Sequence, residues 1–213
     1  MSKINNVYCI TGILADSNSY LIDNSSSNGE YNYILVDTGV GENKNYLINS
    51  IRDFGINPKD IDLIVNTHCH FDHVGGNHMF PEVKVAIGSE DANALRDPES
   101  PLTVSGLFGS KVTRHDVDIE LKEGDKIANF EVISTPGHTS GGISLYDGEI
   151  LICGDTIFAN GGVGRMDIGG NIDDMKNSLA KLKELDVKYL LPGHGPWVDN
   201  GNYHIDLSSK MLL

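Results

Sequence analysis

His68-Cys69-His70-Phe71-Asp72-His73 places three imidazoles and one carboxylate within six consecutive positions. The stretch follows an apolar run, residues 61–67, that is typical of a buried strand. The first two histidines are two residues apart and therefore point to one side of the chain, while the aspartate and the last histidine turn to the other side as the strand ends. This arrangement predicts two adjacent metal sites.

Three later segments repeat the same plan, because each is an apolar run that ends in glycine and is followed by a potential ligand. The ligand is a histidine after residues 130–133, an aspartate after residues 151–153 and a histidine after residues 189–191. Strand ends can converge on one cleft of an open α/β sheet. The candidate metal ligands are therefore His68, His70, Asp72, His73, His138, Asp155 and His194.

The number of ligands predicts a dinuclear centre. Seven nitrogen and oxygen ligands exceed the three or four that a single zinc ion takes, but they match two metals that share one carboxylate. Zinc is the favoured divalent cation, and iron or manganese would also accept histidine and carboxylate ligands.

The ordered set His-x-His-x-Asp-His, His138, Asp155 and His194 resembles the metallo-β-lactamase superfamily, and the match runs from about residue 7 to residue 196. The stretches 137–139, 154–158 and 162–167 are similar to the glyoxalase II branch, which hydrolyses hydroxyacylglutathione, and to its small single-domain relatives. The resemblance implies an αββα four-layer sandwich. Residues 1–213 are expected to form one such domain and, in a departure from full-length glyoxalase II, to lack a C-terminal glutathione-binding helical domain.

The resemblance also implies a role for each ligand. One metal would be held by His68, His70 and His138, and the other by Asp72, His73 and His194. Asp155 would bridge the two metals beside a bound hydroxide, so that Asp72 and Asp155 are the carboxylates of the catalytic centre. The hydroxide would attack the carbonyl of a small-molecule thioester, and a thiolate leaves readily because its pKa is only about 8.5.

Three alternatives to a thioester hydrolase stay open. A lactone or β-lactam hydrolase would use the same centre. A persulfide dioxygenase shares the 162–167 stretch and would hold a single iron through His68, His138 and Asp155. Some of these dioxygenases carry a cysteine where this chain has Val163, which favours the hydrolase. A metal-binding protein without turnover is the least favoured alternative.

Arg165 and Asp37 are predicted to support the centre. Arg165 lies in a glycine-rich loop and could bind a substrate carboxylate, whereas the competing interpretation is an ion pair with Asp167. Asp37 ends a strand and could accept the second ring proton of a ligand histidine, although it could also be an ordinary turn aspartate. The irregular segment 96–118 would either shape the substrate pocket or cover the edge of the core.

Composition excludes some functions. The formal net charge of −14, with only 16 basic residues, argues against nucleic-acid binding. Three cysteines, and the lack of both a signal peptide and a membrane-spanning run, predict a cytoplasmic protein that does not bind membranes. Histidines 78, 115 and 204 lack a motif and are expected at the surface. The sequence predicts no oligomeric state.

Hydrophobic periodicity predicts mixed α/β structure. Strands are expected near residues 7–13, 18–23, 31–37, 61–67, 83–87, 130, 143 and 150. Helices are expected over residues 43–54, after Ser89, and over residues 172–185 as the last element. A polar hairpin connection is expected over residues 24–29.

Overall fold

The computed structural model describes residues 2–27 and 29–212. Met1, Asn28 and Leu213 lie outside the described residues, so one position of the connection predicted over 24–29 falls outside them as well. The described residues form two β-sheets flanked by helices.

The first sheet contains seven strands in chain order. They are Ser2–Ile4 (β1), Val7–Ile10 (β2), Ser19–Asp23 (β3), Tyr33–Val36 (β4), Leu63–Asn66 (β5), Lys84–Gly88 (β6) and Ile119–Leu121 (β7). Strands β1 to β4 pair antiparallel, and β4 to β7 pair parallel. The carboxyl ends of β4, β5 and β6 therefore lie at one edge of the sheet.

The second sheet contains six strands in the order β13-β12-β11-β10-β9-β8. They are Lys126–Ile127 (β8), Phe130–Ser134 (β9), Ile143–Tyr146 (β10), Ile150–Gly154 (β11), Tyr189–Pro192 (β12) and Val198–Asp199 (β13). The only parallel pair among them is β11 with β12. Both strands of this pair end beside the same cleft.

Helices cover the outer face of each sheet. They are Lys44–Asp53 (α1), Phe71–Val74 (α2), Ala92–Arg96 (α3), Ile172–Leu182 (α4) and Gly201–Leu212 (α5). Helices α1 to α3 pack on the first sheet, and α4 and α5 pack on the second. This order of layers confirms the predicted αββα sandwich.

Successive residues of the central strands face different layers. In β4, Ile34 and Val36 point into the core between the sheets, while Leu35 packs under the helices. In β11, Ile152 faces the core between the sheets and Leu151 faces α4. These strands read as continuous apolar runs because both of their faces are buried.

Helix α4 shows how local sequence defines an element. The side chain of Asn171 accepts hydrogen bonds from the backbone N–H groups of Asp173 (2.8 Å) and Asp174 (3.1 Å), which caps the first turn. Met175 and Leu179 are buried one turn apart and contact the second sheet.

Two predictions about the fold were wrong. The helix near 172–185 is not the last, since α5 follows it; α5 buries mainly small or polar side chains together with Ile205, which gives a weak apolar pattern. His204, on the same helix, was expected at the surface but is buried, and its Nδ1 accepts a hydrogen bond from the backbone N–H of Asn160 (2.9 Å). His78 is exposed and His115 is half-buried.

Candidate metal centre

The structure brings the seven predicted ligands together at one end of the two sheets. Four of them follow β5, with two in the loop before α2 and two within α2. The other three follow β9, β11 and β12 of the second sheet. Their potential ligand atoms form three overlapping groups in which the atoms lie within 4.8 Å of one another. The groups are His68, His70 and His138; His68, His73 and Asp155; and Asp72, His73 and His194.

Two glycines allow the loops of the second sheet to approach the ligands. Gly154, just before Asp155, has a φ of +48°, and a Cβ there would lie 2.5 Å from the Thr67 hydroxyl oxygen. A Cβ on Gly193 would collide with a carboxylate oxygen of Asp155. The apolar-run-then-glycine pattern therefore has a steric cause, because only glycine permits these close approaches.

The carboxylate of Asp155 lies between the two outer groups of ligands. Its Oδ1 is 3.3 Å from His73 Nε2, and its Oδ2 is 3.5 Å from His138 Nε2 and 3.7 Å from His194 Nε2. The Oδ2 of Asp72 is 3.0 Å from His194 Nε2. A carboxylate with its two oxygens directed to different histidines can bridge two cations.

The ligand atoms are unusual because they are buried without hydrogen-bond partners. The Nε2 atoms of His68, His70, His73 and His138, and Oδ1 of Asp155, are all in this state. Buried polar atoms are nearly always paired, and an unpaired one costs about 1–3 kcal/mol. Convergent unpaired imidazole nitrogens beside carboxylates fit divalent metal ions.

The other ring nitrogens of three of these histidines are held by partners. Nδ1 of His73 lies 2.8 Å from Asp37 Oδ2, and Nδ1 of His138 lies 2.6 Å from the carbonyl oxygen of Arg165. Nδ1 of His68 lies 3.1 Å from the Thr67 hydroxyl, which donates to Asp37 Oδ2 at 2.7 Å. Each contact has an oxygen acceptor for an Nδ1 proton, so that the lone pair of the neutral ring lies on Nε2, where a metal can bind.

Burial and charge shift the pKa values in two directions. Burial, followed by the neighbouring imidazoles, lowers the pKa of His68 well below its usual range and that of His70 to about 3. Burial also lowers the pKa of His73, but the carboxylates of Asp155, Asp37 and Asp72 raise it by more, to well above its usual range. The neutral imidazoles of His68 and His70 can bind a metal, and the carboxylates around His73 favour a positive charge. Divalent cations would fit both conditions.

The profile of the metallo-beta-lactamase superfamily matches residues 13–194. The chain belongs to the metallo-beta-lactamase superfamily. Its fold is the one expected from the resemblance of the sequence.

Similar proteins within the superfamily are metallo-hydrolases by name. The chain is 39% identical over 197 residues to "Probable metallo-hydrolase MJ0888" of Methanocaldococcus jannaschii, which covers 87% of this chain and 91% of that protein. It is 37% identical over 137 residues to a hydroxyacylglutathione hydrolase of Rhodospirillum rubrum, which covers 62% of this chain. The match spans less than half, 46%, of that hydrolase.

Solved structures of superfamily members share the fold. A crystal structure of TTHA1623 in a di-iron-bound form superposes with a TM-score of 0.74 at 27% identity, and covers 92% of this chain and 96% of that chain. The BLEG-1 B3 metallo-beta-lactamase also gives a TM-score of 0.74 at 27% identity, with 92% and 95% covered.

Arg165 contacts the metal centre through its backbone and not through its charge. Its guanidinium donates two hydrogen bonds to Asp167, Nε to Oδ1 at 2.8 Å and Nη2 to Oδ2 at 2.6 Å. This is the ion pair that formed the competing interpretation of the sequence. Its carbonyl oxygen is the partner of the ligand His138.

The sequence did not reveal Asp91, a buried residue that links the loops of the two sheets. Its Oδ2 accepts hydrogen bonds from the Cys69 N–H (3.0 Å) and the Thr139 hydroxyl (2.8 Å), and its Oδ1 accepts from the Gly141 N–H (2.8 Å). Cys69 and Thr139 each adjoin a ligand histidine. Asp91 follows the end of β6 at Gly88, but nothing in the local sequence indicates that its carboxylate binds a loop of the second sheet.

An open cavity of about 420 Å³ lies over the centre. Ligands form its floor, including His70, Asp155 and His194. The segment 96–118 contributes to its wall and also reaches the core, since Val112 is buried there. One part of the segment thus lines the cavity, and another part covers the core.

Within the described residues, no helix is long and apolar enough to cross a membrane.

Proposed function

We propose that this superfamily member is a metal-dependent hydrolase that uses two divalent metal ions to hydrolyse small-molecule thioesters. The observation that carries the proposal is the overlap of the ligand groups. His68 and His73 each belong to two of the three groups, so the ligand atoms form one continuous cluster. A cluster of this extent suits two neighbouring cations better than one.

The side chains would divide between the metals in the way that the resemblance implies. His68, His70 and His138 would hold one metal, and Asp72, His73 and His194 would hold the other. Asp155 would bridge them. Zinc suits these ligands best, and iron and manganese are the other candidates.

The metals, when bound, would supply Lewis acidity and lower the pKa of a shared water to about 7. The protein contributes orientation. Asp37 and the Arg165 carbonyl fix the rings of His73 and His138, so their Nε2 atoms keep their direction. The cavity then directs the substrate carbonyl to the ligand floor. In the proposed reaction a water oxygen would form a C–O bond to the carbonyl carbon, the C–S bond would break, and the thiolate would depart with its electron pair while the protons of the water pass to solvent.

The comparisons support the thioester reaction, and the free cysteines support a cytoplasmic location. A hydroxyacylglutathione hydrolase is by name a thioester hydrolase, and it matches 62% of this chain. The thiols of Cys9, Cys69 and Cys153 are buried and unpaired, which supports a reducing compartment, the cytoplasm.

Metal content tests the dinuclear centre. Protein purified without chelator is expected to contain about two metals per chain by elemental analysis, and the Asp72→Ala variant about one. Asp60→Ala is the matched control, because Asp60 is exposed in a short turn before β5 and belongs to none of the three ligand groups. One iron per chain that persists in Asp72→Ala would contradict the dinuclear centre.

Activity separates the reaction classes. A panel of thioesters, lactones and β-lactams is compared with oxygen uptake in the presence of glutathione persulfide. Thiol release from thioesters that depends on metal, without oxygen uptake, is expected. Oxygen uptake with persulfide and no thiol release would replace the proposal with a mononuclear iron dioxygenase.

A further inference from the structure

The cavity over the metal centre has an apolar wall. Two segments form it: the insertion 96–118 and the glycine-rich loop that follows Asp155. The apolar side chains in the wall are Val104, Leu107, Phe108, Phe158, Val163 and Ile168. A carbonyl that reacts at the ligand floor must place the rest of its molecule against this wall.

The wall extends into a neighbouring groove. A second cavity, of about 470 Å³, shares Val104, Leu107 and Ile168 with the first. Leu107 stands between them and is 70% exposed, and Leu102 nearby is 47% exposed. Large apolar side chains exposed around a cavity are typical of ligand-binding sites, because a bound apolar group removes them from water.

The positive charges around the two cavities are already paired. Among the described residues that line them, the basic side chains other than histidine are Lys111 and Arg165. The Lys111 ammonium lies 2.6 Å from a Glu99 carboxylate oxygen, and Arg165 is bidentate to Asp167. Along the walls of the two cavities, an anionic group of a substrate would therefore meet basic side chains that already have carboxylate partners.

We infer that the substrate is an uncharged thioester with an apolar acyl chain, and that Leu107 determines specificity by packing against that chain. This inference rests on the proposed hydrolase function and narrows its substrate class. The acyl chain lies between the insertion and the glycine-rich loop, and the carbonyl reaches the ligand floor. Thioesters of polyanionic or carboxylate-bearing thiols are poor substrates.

A series of acyl N-acetylcysteamine thioesters, from acetyl to octanoyl, tests the inference. Burial of each added methylene should raise kcat/KM by about two- to fourfold until the wall is covered. Leu107→Ser should lower the octanoyl-to-acetyl ratio of kcat/KM by about fivefold or more. Met211→Ser is the matched control, since Met211 is 71% exposed on α5 and lines neither cavity; its ratio should match the unmodified protein.

The thiol portion is tested separately. Hexanoyl glutathione is compared with hexanoyl N-acetylcysteamine, and the uncharged thioester is expected to have the higher kcat/KM. A flat response to chain length in the metal-loaded protein, or a preference for the glutathione thioester, would overturn the inference and leave the hydrolase function intact.

A binding measurement distinguishes failure of the inference from failure of the proposed function. S-Octyl-N-acetylcysteamine is a thioether that cannot be hydrolysed, and its affinity is measured by calorimetry. Binding that Leu107→Ser weakens at least fivefold, and Met211→Ser leaves unchanged, supports the apolar wall even if every thioester proves inert. No binding, or equal binding by both variants, contradicts it.

Discussion

At the scale of single residues, the centre depends on side chains that never reach the metals. Asp37 is buried with a φ of +57°, a region that aspartate tolerates better than most residues. Its carboxylate accepts hydrogen bonds from the Thr67 N–H (2.8 Å) and hydroxyl (2.7 Å), and it holds Nδ1 of His73. One aspartate thus fixes a strand end and orients a ligand.

Asp37→Asn should therefore weaken metal binding without unfolding the protein. The amide keeps the size of the side chain but removes the charge beside His73. Loss of such a partner typically reduces metal affinity by about 10- to 100-fold. Titration against a chromophoric chelator measures the affinity, and Asp60→Asn is the control. An unchanged affinity in Asp37→Asn would contradict this role.

Asp91 is expected to contribute mainly to stability. Oδ2 of Asp91 accepts from Cys69 and Thr139, and Oδ1 accepts from Gly141. In Asp91→Asn an amide NH₂ replaces one of these two oxygens, so the donors on that side lose their acceptor. A buried donor without its acceptor costs about 1–3 kcal/mol of the free energy of unfolding, which urea denaturation measures. Asp147 also accepts backbone N–H groups, but in an exposed hairpin, so Asp147→Asn should cost less. Equal losses in the two variants would exclude a special role for Asp91.

At the scale of elements, sequence patterns identified the strands that carry ligands and missed the short or weakly apolar elements. Strands β5, β11 and β12 are apolar on both faces and end in a turn, so their positions could be predicted together with their ligands. Strands β8 and β13 are two residues long, too short to show a periodicity. Partners such as Asp91 depend on how the two sheets meet, which no local pattern encodes.

A polar cluster links helix α4 to the second sheet in addition to their apolar contacts. An Oε2 of Glu123 accepts hydrogen bonds from the Ser134 N–H (2.7 Å) and the Lys181 ammonium (2.8 Å), and Lys181 also donates to the Ser134 carbonyl (2.8 Å). Burial raises the pKa of Glu123, but its hydrogen bonds with Lys181 and Ser134 lower it by more, to below its usual value of 4.5. The cluster thus favours the ionised carboxylate.

The depressed pKa predicts how Glu123 affects stability with pH. Its contribution is present above the unfolded value of 4.5 and is lost as pH falls through the lower folded value. Glu123→Gln should cost about 0.5–1 kcal/mol at pH 7, because the group is half exposed, and the difference should shrink as pH falls below 4.5. Glu184→Gln, at an exposed position after α4, is the control. It should leave the free energy of unfolding unchanged at pH 7 and at low pH in denaturant titrations. A difference that does not shrink as pH falls below 4.5 would contradict the assignment.

At the scale of the whole molecule, the ligands connect the two halves of the sandwich. The segment after β5 of the first sheet supplies His68, His70, Asp72 and His73, and loops of the second sheet supply His138, Asp155 and His194. Three carboxylates lie among these imidazoles, counting Asp37. Cations at the centre would offset carboxylate repulsion and join the halves at the same time.

Metal removal should therefore lower the melting temperature of the whole fold. Binding to the folded state at 1,000 times the dissociation constant adds about 4 kcal/mol, which corresponds to roughly 10 °C for a chain of this size. Calorimetry compares loaded, chelated and zinc-restored protein. His194→Asn, which removes one ligand, should reduce the shift, and His115→Asn, outside the cluster, should leave it unchanged. An unchanged melting temperature after confirmed metal loss would contradict this prediction. Hydrogen bonds such as those of Asp91, and not the cations, would then hold the ligand loops of the two sheets together.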